Sequence, residues 1–383
     1  MPFKYIKVKT KGQIEGEELL VPKLRFKEFN SEYQKYKIGD TLKVKSGKDQ
    51  KSIECINGTY PILGTGGQIG TTNSFLYDKP SVLIGRKGTI NKPQYMTTPF
   101  WTVDTLFYTD IKEEFNTKYI FYAFQNINWK KYDESTGVPS LSCKTIEEIL
   151  YYIPNKDEQD KISTFITLLD KKIELQQRKI ETLKIYKKGL IQKYFESKNG
   201  EKIKISEILE EVINKTTENN QYDVISSTKD GLFLQSEYFN RSIASDNNIG
   251  YKILKKNQIV LSPQNLWMGN INYNNKYEIG MVSPSYKIFN INKNFDKDYI
   301  SNLLKTNKAI YYYTINSEQG ASIVRRNLNM ESFYEINFVI PDIEEQNKKG
   351  KIINGIAQKI EKEEKKYQKL DKFKKGLLQK MFI

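Results

Sequence analysis

The chain of 383 residues contains no histidine, has two cysteines and carries a formal net charge of +15. Its length is sufficient for two or three domains with buried cores. The missing histidine excludes a Ser-His-Asp triad, a Cys-His pair and a His-ligated zinc site, and two cysteines are too few for a four-cysteine zinc site. The charged start of the sequence lacks the apolar stretch of a signal peptide, and no run approaches the roughly 20 apolar residues of a membrane span. We therefore expect a cytoplasmic protein.

The positive charge leaves two interpretations open. A basic chain favours a polyanionic partner such as nucleic acid. However, only six of the 61 basic residues are arginines, and abundant lysine, asparagine, isoleucine and tyrosine are also what an AT-rich genome produces. Residues 51–152 carry no net charge and residues 197–339 carry only +2, so most of the charge lies elsewhere.

The first folded body is predicted over residues 29–152, after a lead segment at residues 1–28. Short runs of β-forming residues alternate in it with glycine-rich turns. The predicted elements are strands at 81–84 and 101–108 and a helix at 118–129, with turns at 64–67, 85–88 and 136–137. This pattern indicates a mixed α+β body.

Residues 153–196 are predicted to form one long helix. Its apolar residues recur at alternating spacings of four and three, which is the heptad pattern of a helix that packs along one stripe. Pro154 suits a helix start, and Asp157 and Glu158 place negative charge at the positive end of the helix dipole. We call the apolar stripe the seam; in this helix it comprises Ile162, Ile166, Leu169, Ile173, Ile180, Leu183 and Leu190.

The second body is predicted over residues 197–339 and is also mixed α+β. The predicted strands are 258–262, 279–283 and 286–291, and the predicted helices are 204–213 and 297–317.

Residues 340–383 are predicted to form a second long helix, in which residues 340–382 repeat residues 153–195 at a constant offset of 187, and 18 of the 43 aligned pairs are identical. The seam of this second helix comprises Ile353, Ile356, Ile360, Tyr367, Leu370 and Leu377. A long helix with one apolar stripe needs a partner, and we expect the two copies to pair antiparallel within the chain. The predicted fold class is therefore α+β: two mixed bodies held apart by two long antiparallel coiled-coil helices, with pseudo-twofold duplication. Two independent coiled coils that bind other chains remain the alternative.

The rare arginines mark candidate binding loops. Arg86 lies between glycines, and Arg325 and Arg326 follow a glycine-containing loop. A guanidinium on a loop suits bidentate contact with guanine or phosphate, although a surface arginine paired with a carboxylate is the simpler alternative. Gln264, Asn265 and Asn270 carry amides that fit adenine edges, although turns favour asparagine in any case.

Motifs for catalysis are missing. Residues 64–70 superficially resemble a dinucleotide loop, but the glycine spacing is wrong and a turn is the better interpretation. The sequence contains no G-x-x-x-x-G-K-[ST] phosphate loop and no Asn/Asp-Pro-Pro-aromatic methyltransferase signature. The carboxylates are scattered and indicate no metal or general-acid site.

Several motifs in this order, together with the duplication, resemble the specificity (S) subunits of bacterial Type I restriction-modification systems. The opening at 21–26, the two Pro-x4-Gln helix starts, and the segments 60–67, 82–90, 100–105, 238–245 and 282–286 carry the resemblance. It extends from residue 21 to residue 383, whereas residues 1–20 match nothing in the family pattern.

The resemblance implies two target recognition domains, at 29–152 and 197–339, each reading one half of a bipartite site in double-stranded DNA. It implies that the helices act as a ruler, which means that they set the distance between the two half-sites. It also implies that they dock two modification (methyltransferase) subunits, which are joined by restriction (motor-nuclease) subunits. S-adenosylmethionine, ATP and Mg²⁺ are expected on these partners, with no cofactor, metal or catalytic residue in this chain. The hypothesised DNA-contacting residues are Lys45, Lys48, Thr65, Gly66, Gly67, Arg86, Lys87, Thr89, Gln264, Asn265, Asn270, Tyr286, Ser322, Arg325 and Arg326.

Two other functions compete with this one. The first is a coiled-coil scaffold that assembles proteins without touching DNA. The second is a self-sufficient nuclease or methyltransferase, which the missing motifs make the weakest of the three.

Overall fold

The chain divides into two compact units. The computed structural model describes residues 2–5, 21–196, 199–238, 247–319 and 326–383. Unit 1 comprises Met1–Gln177 and Lys365–Ile383, and unit 2 comprises Arg178–Glu364. Each unit contains one α+β body and about half of each of two long helices. Within the part of the chain that is described, no helix combines the length and apolar character that crossing a membrane requires.

The body of unit 1 is built from short strands and three short helices. Its central sheet has the strand order β4-β10-β7-β8, and a smaller sheet has the order β6-β5-β9. The elements are β1 (Phe3–Tyr5), β2 (Leu24–Phe26), β3 (Gln34–Lys37), α1 (Ile38–Thr41), β4 (Leu42–Lys45), β5 (Tyr60–Gly64), β6 (Gly67–Thr72), β7 (Ser81–Gly85), β8 (Gln94–Met96), β9 (Trp101–Thr102), β10 (Leu106–Ile111), α2 (Thr117–Asn126), a 3₁₀ turn (Trp129–Tyr132), α3 (Cys143–Glu148) and β11 (Leu150–Ile153), followed by the long helix α4 (Lys156–Phe195).

The body of unit 2 repeats this plan with additional hairpins. Its central sheet has the order β13-β20-β17-β18. The elements are β12 (Glu201–Lys204), α5 (Ile205–Ile208), β13 (Leu209–Val212), β14 (Ile225–Thr228), β15 (Gly231–Leu234), α6 (Gln235–Tyr238), β16 (Lys252–Lys255), β17 (Gln258–Leu261), a 3₁₀ turn (Leu266–Met268), β18 (Ile271–Tyr273), β19 (Ile279–Val282), β20 (Lys287–Ile291), α7 (Lys297–Leu303), α8 (Asn307–Ile315), β21 (Ser317–Gln319), β22 (Arg326–Leu328), α9 (Met330–Tyr334) and β23 (Asn337–Ile340), followed by the long helix α10 (Ile343–Met381).

Both bodies begin with the same elements, a strand that pairs with the last strand of the body and then leads into a one-turn helix. In unit 1, β3 pairs with β11 and leads into α1; in unit 2, β12 pairs with β23 and leads into α5. The carboxylate of Asp40 accepts a hydrogen bond from the Lys37 backbone N–H at 2.7 Å, and Glu207 accepts one from Lys204 at 2.9 Å. The duplication therefore extends from the long helices into the bodies.

A buried glutamine lies in the first turn of each long helix. The Gln159 side chain donates to the Pro154 carbonyl at 2.9 Å, and its oxygen accepts from the backbone N–H of Asn116 at 2.9 Å. Gln346 forms the equivalent pair of bonds with Pro341 at 2.8 Å and Asp296 at 3.0 Å. Asn116 and Asp296 cap the helices α2 and α7, so one amide joins the start of a long helix to the start of a body helix. This explains why proline and glutamine recur together in the repeat.

The long helices pack antiparallel inside each unit. In unit 1, Ile166 near the start of α4 shares a buried cluster with Leu377 and Met381 at the end of α10. In unit 2, Phe195 at the end of α4 shares a cluster with Ile353 near the start of α10. The predicted α+β class with two long antiparallel helices and an internal duplication is therefore confirmed.

The seam contacts the bodies as well as the opposite helix. Tyr119 and Trp129 of the first body belong to the same cluster as Ile162 and Ile166. The fully buried seam residues are Ile162, Ile166, Leu169, Ile180, Ile353, Ile360 and Leu377, whereas Ile173, Leu183, Leu190, Ile356, Tyr367 and Leu370 are half-buried. Burial is deepest at the helix ends because a body covers the helices there.

Three predicted elements differ in the structure. Residues 204–213 form the single turn α5 followed by β13, because the chain at 209 pairs with β20 in the central sheet. The helix predicted at 297–317 is interrupted, because Thr306 caps a second helix by accepting from the Ala309 N–H. The strand predicted at 101–108 is divided into β9 and β10, which join different sheets.

A buried ion pair fastens the lead segment to α4. Arg25 on β2 donates to the two carboxylate oxygens of Glu158 at 2.7 and 2.5 Å, and the two side chains are 1% and 0% exposed. The hydroxyl of Tyr33 donates to the same carboxylate at 3.3 Å. In the repeat, the equivalent Glu345 is 43% exposed and pairs only with Lys349 on the same helix among the described residues.

We expect Glu158→Gln to destabilise unit 1 by about 3–5 kcal/mol, because Arg25 is then buried without its counter-ion. The matched change Glu345→Gln removes the same charge from the same helix position and should cost less, because Glu345 is 43% exposed and its partner Lys349 also donates to the Tyr194 carbonyl at 3.5 Å. Urea unfolding read by hydrogen–deuterium exchange measures the free energy of each unit separately. Equal losses in the two variants would contradict this assignment.

Candidate functional site

Arg86 is presented by a loop whose backbone is fixed on both sides. Its N–H donates to the Thr105 carbonyl at 2.8 Å, and its carbonyl accepts from Leu141 at 2.9 Å. Gly88 has a φ of 84°, a left-handed conformation that favours glycine. At Gly85 a Cβ would lie 2.2 Å from the Thr89 carbonyl oxygen, so only glycine fits there. The sequence pattern of glycines around Arg86 thus reflects a tight, ordered turn.

The adjoining hairpin places Thr65 and Gly66 at the tip between β5 and β6. Gly64 pairs with Gly67, which has a φ of 114°. The Gln94 side chain donates to the carbonyl of Gly64 at 2.9 Å and to that of Thr65 at 3.4 Å. A half-buried amide from β8 therefore holds the hairpin tip.

Lys48 lies on a third loop beside the same sheet. Its N–H donates to the Thr102 carbonyl, and its carbonyl accepts from the Trp101 indole, both at 2.9 Å. Gly47 passes so close to Val103 that a Cβ would lie 2.0 Å from its carbonyl oxygen. Strand β9, which contains Trp101 and Thr102, pairs with β5, so this loop is anchored to the strand that carries the glycine hairpin.

These three loops form one surface, which we call the unit 1 loop surface. A Cβ at Gly88 would lie 4.0 Å from the Thr65 hydroxyl, so the arginine loop and the hairpin adjoin. The structure thus brings together seven of the predicted residues: Lys48, Thr65, Gly66, Gly67, Arg86, Lys87 and Thr89. The three cations among them are exposed.

Lys45 is engaged elsewhere. Its ammonium donates to Asp110 at 2.8 Å, and the hydroxyl of Tyr77 donates to the same carboxylate at 2.7 Å. The hydrogen bond from Lys45 is the main reason why the pKa of Asp110 lies below its usual value. Lys45 therefore has a structural partner within its own sheet.

The segment that supports the arginine loop is not among the predicted site residues. Residues 133–141 lie beside it, with Gly88 N–H donating to the Pro139 carbonyl at 2.8 Å. Asp133 orders this segment by accepting from the backbone N–H groups of Ser135 and Ser140, and the bond from Ser140 is the main cause that lowers its pKa. Its one sequence signal was the turn at 136–137, which gave no indication of where the turn docks.

In unit 2, Gln264 and Arg326 are brought together. The Arg326 N–H donates to the Gln264 carbonyl at 3.3 Å, and its guanidinium lies 5.3 Å from the Trp267 ring centre. The Gln264 side chain is exposed, while Asn265 is half-buried in the turn that Gly269 completes with a φ of 84°. Ser322 and Arg325, also predicted, lie outside the described residues.

Asn270 and Tyr286 face inward. Asn270 is 5% exposed; its oxygen accepts from the Ser227 hydroxyl at 2.7 Å and its amide donates to the Ser227 carbonyl at 2.9 Å. The Tyr286 hydroxyl donates to the same carbonyl at 3.3 Å, and burial raises its pKa. In this arrangement both side chains hold β14 in place, and Tyr286 is half-buried.

The described residues offer little for metal chemistry. Among them, no three Cys, Asp or Glu side chains are grouped so that they could hold a metal ion. The unit 1 loop surface presents three exposed cations, Lys48, Arg86 and Lys87, which suit the binding of an anion or of hydrogen-bonding base edges.

Residues 30–185 match the family model described as Type I restriction modification DNA specificity domain. The fold is similar to a Type I restriction-modification S subunit from M. genitalium, with 17% identity, a TM-score of 0.65, and coverage of 95% of this chain and 99% of that chain. It is also similar to a chain from a structural study of complex assembly and conformational transition of the type I R-M system, with 9% identity, a TM-score of 0.52, and coverage of 91% and 97%. No curated protein sequence matches the chain.

Proposed function

We propose that the chain belongs to the Type I restriction-modification DNA specificity family, whose model matches residues 30–185, and that each of its two units reads one half of a bipartite DNA site. It is a DNA sequence-specificity subunit. The observation that carries the proposal is the unit 1 loop surface, where Lys48, Arg86 and Lys87 project from backbone that is fixed by hydrogen bonds.

Arg86 is the best candidate for base reading in unit 1. Among the described residues its guanidinium makes no ion pair; it contacts the Asp104 carbonyl at 3.4 Å and lies 5.9 Å from the Phe107 ring centre. A guanidinium with free donors on a fixed loop can address guanine O6 and N7 together. Lys48 and Lys87 then suit phosphates, which position the loop without selecting sequence.

The two half-sites should differ in sequence. Unit 2 offers an exposed glutamine beside Arg326, with Trp267 beneath the guanidinium, in place of the glycine hairpin of unit 1. Side chains with different donors and acceptors select different bases. Because the bodies are nearly neutral, specificity rests on these local loops and not on a general basic surface.

The partners and the chemistry follow from the family. The long helices dock two modification subunits, which carry S-adenosylmethionine chemistry, and restriction subunits that use ATP and Mg²⁺ join the complex. This chain chooses the DNA site and contributes no catalytic residue and no cofactor of its own. Since the DNA that it binds is cellular DNA, it acts in the cytoplasm.

We expect Arg86→Ala to cost about 1–3 kcal/mol of binding to DNA with the correct first half-site, because a bidentate base contact is lost. Arg326→Ala is the reciprocal control and should weaken recognition of the second half-site only. Fluorescence anisotropy with DNA duplexes mutated in one half or the other separates the two effects. An equal loss on all sequences would make Arg86 a phosphate contact.

Methylome sequencing of cells with and without this chain tests the function as a whole. We expect one split motif, containing adenines in two different half-sites, to be methylated only when the chain is present. If no motif appears or disappears, the scaffold that does not touch DNA becomes the better explanation.

A further inference from the structure

The segment 133–141 of unit 1 contains none of the predicted DNA-contacting residues, although it adjoins the arginine loop. The Gly88 N–H donates to the Pro139 carbonyl at 2.8 Å. At the next position along the same ladder, Lys87 and Ser140 are antiparallel bridge partners. The segment therefore follows the backbone of the arginine loop residue by residue and forms a neighbour of the unit 1 loop surface.

The two ends of this segment are tied together by one carboxylate. Asp133 accepts hydrogen bonds from the backbone N–H groups of Ser135 and Ser140, at 3.0 and 2.9 Å, and from the Ser135 hydroxyl at 2.9 Å. The Glu134 N–H donates to the Ser140 carbonyl at 3.0 Å and closes the loop. The residues in between, 136–138, are therefore carried on a fixed base.

The tip of the closed loop exposes one branched apolar side chain. Thr136, Gly137 and Val138 are all exposed, and Val138 is 67% exposed. Val138 precedes Pro139, and the residue before a proline is restricted to extended backbone. The two substituents on its Cβ leave the valine few χ1 rotamers. A rigid apolar group is therefore presented beside the loop that carries the exposed Arg86.

We propose that Val138 reads a thymine by contact with its C5-methyl group, in the half-site that unit 1 binds. This inference rests on the proposed function and adds a specificity-determining residue to it. The thymine methyl group is an apolar feature of the major groove, and side chains recognise it by apolar contact. Guanine O6 and N7, which suit Arg86, lie in the same groove. The two side chains can therefore read one half-site from one groove.

The separation of the two residues agrees with the spacing of base pairs. Val138 is two residues from Ser140, which is about 7 Å along an extended chain. Ser140 lies across from Lys87, and bridge partners are about 5 Å apart. Successive base pairs are about 3.4 Å apart, so Val138 lies within about four base pairs of the pair that Arg86 contacts. A major groove about 12 Å wide accommodates both side chains.

A thymine explains the position of this valine better than a phosphate or a protein partner does. A phosphate contact needs a hydrogen-bond donor, and a valine side chain has none. Protein interfaces depend on clusters of large anchors such as Trp, Tyr and Arg, whereas the valine shares its tip with Thr136 and Gly137. Single exposed apolar residues are common on protein surfaces. The feature that distinguishes Val138 is the bonding of its segment to the arginine loop.

The test measures the binding of the full-length chain, in complex with its co-expressed modification subunits, to duplexes that contain its methylated motif. In separate duplexes, each thymine of the half-site whose recognition Arg86→Ala weakens is replaced by deoxyuridine, which lacks only the C5-methyl group. In wild type, one replacement should weaken binding about 4-fold, as expected for the burial of one methyl group. Val138→Ala should bind the thymine duplex about 4-fold more weakly and should no longer distinguish it from the uracil duplex.

Ile56→Ala is the matched control. Ile56 is 93% exposed in the same body. It follows Cys55, whose N–H donates to the Thr71 carbonyl at 2.9 Å, so it lies at the open end of the β5–β6 hairpin and away from the tip where Gly64 pairs with Gly67. This variant loses an exposed apolar side chain of similar kind, and it should bind both duplexes as wild type does.

Val138→Ala should keep the wild-type melting temperature, because the side chain is exposed. It should also keep its preference for guanine over 7-deazaguanine, which lacks N7, because Arg86 is unchanged. Loss of this guanine preference together with the thymine preference would make Val138 a support of the arginine loop and would overturn the inference.

Three further results would overturn it. The first is wild-type binding that no uracil replacement changes, and the second is a Val138→Ala chain that still distinguishes thymine from uracil. The third is a Val138→Ala chain that loses modification subunits while its DNA preference stays the same, which would make Val138 a protein contact. All of these leave the proposed function intact. A wild-type chain that prefers no half-site would instead overturn the proposed function itself.

Discussion

Each long helix has a single apolar stripe, and covering that stripe determines how the chain is divided. Unit 1 needs the start of α4, the end of α10 and a body, so it joins the first 177 residues to the last 19. Unit 2 is one continuous stretch of sequence from 178 to 364. Contacts between distant segments cost more loop entropy than local ones, so unit 1 is the part whose assembly depends on the whole chain being present.

In each unit, an equivalent buried glutamine amide links the start of a long helix to the body. Gln159 and Gln346 each join a proline carbonyl to the first turn of a body helix, and this bond gives each body a defined attachment to its helix. The loops that face solvent can then vary without disturbing the attachment. A rigid scaffold that presents variable loops is a common basis of recognition.

The molecule uses repetition and divergence for different purposes. The helix ends carry equivalent aromatic, glycine and lysine positions in the two copies, whereas the loops around Arg86 and Arg326 share little. Unlike loops are what the proposed reading of two different half-sites requires. The charge distribution agrees with this division, because the bodies are nearly neutral and base selection depends on a few well-placed groups.

Local periodicity and residue types were enough to predict the duplication, the long helices, the α+β class and the glycine turns. The same local signals could not place Asn270 and Tyr286 around Ser227, turn residues 209–212 into a strand, or bury Glu158 against Arg25. Nor could they show that residues 139–141 support the arginine loop. Only the tertiary structure decided these points, because strand pairing and burial join segments that are tens to more than a hundred residues apart, and no local pattern records which distant partner a segment meets.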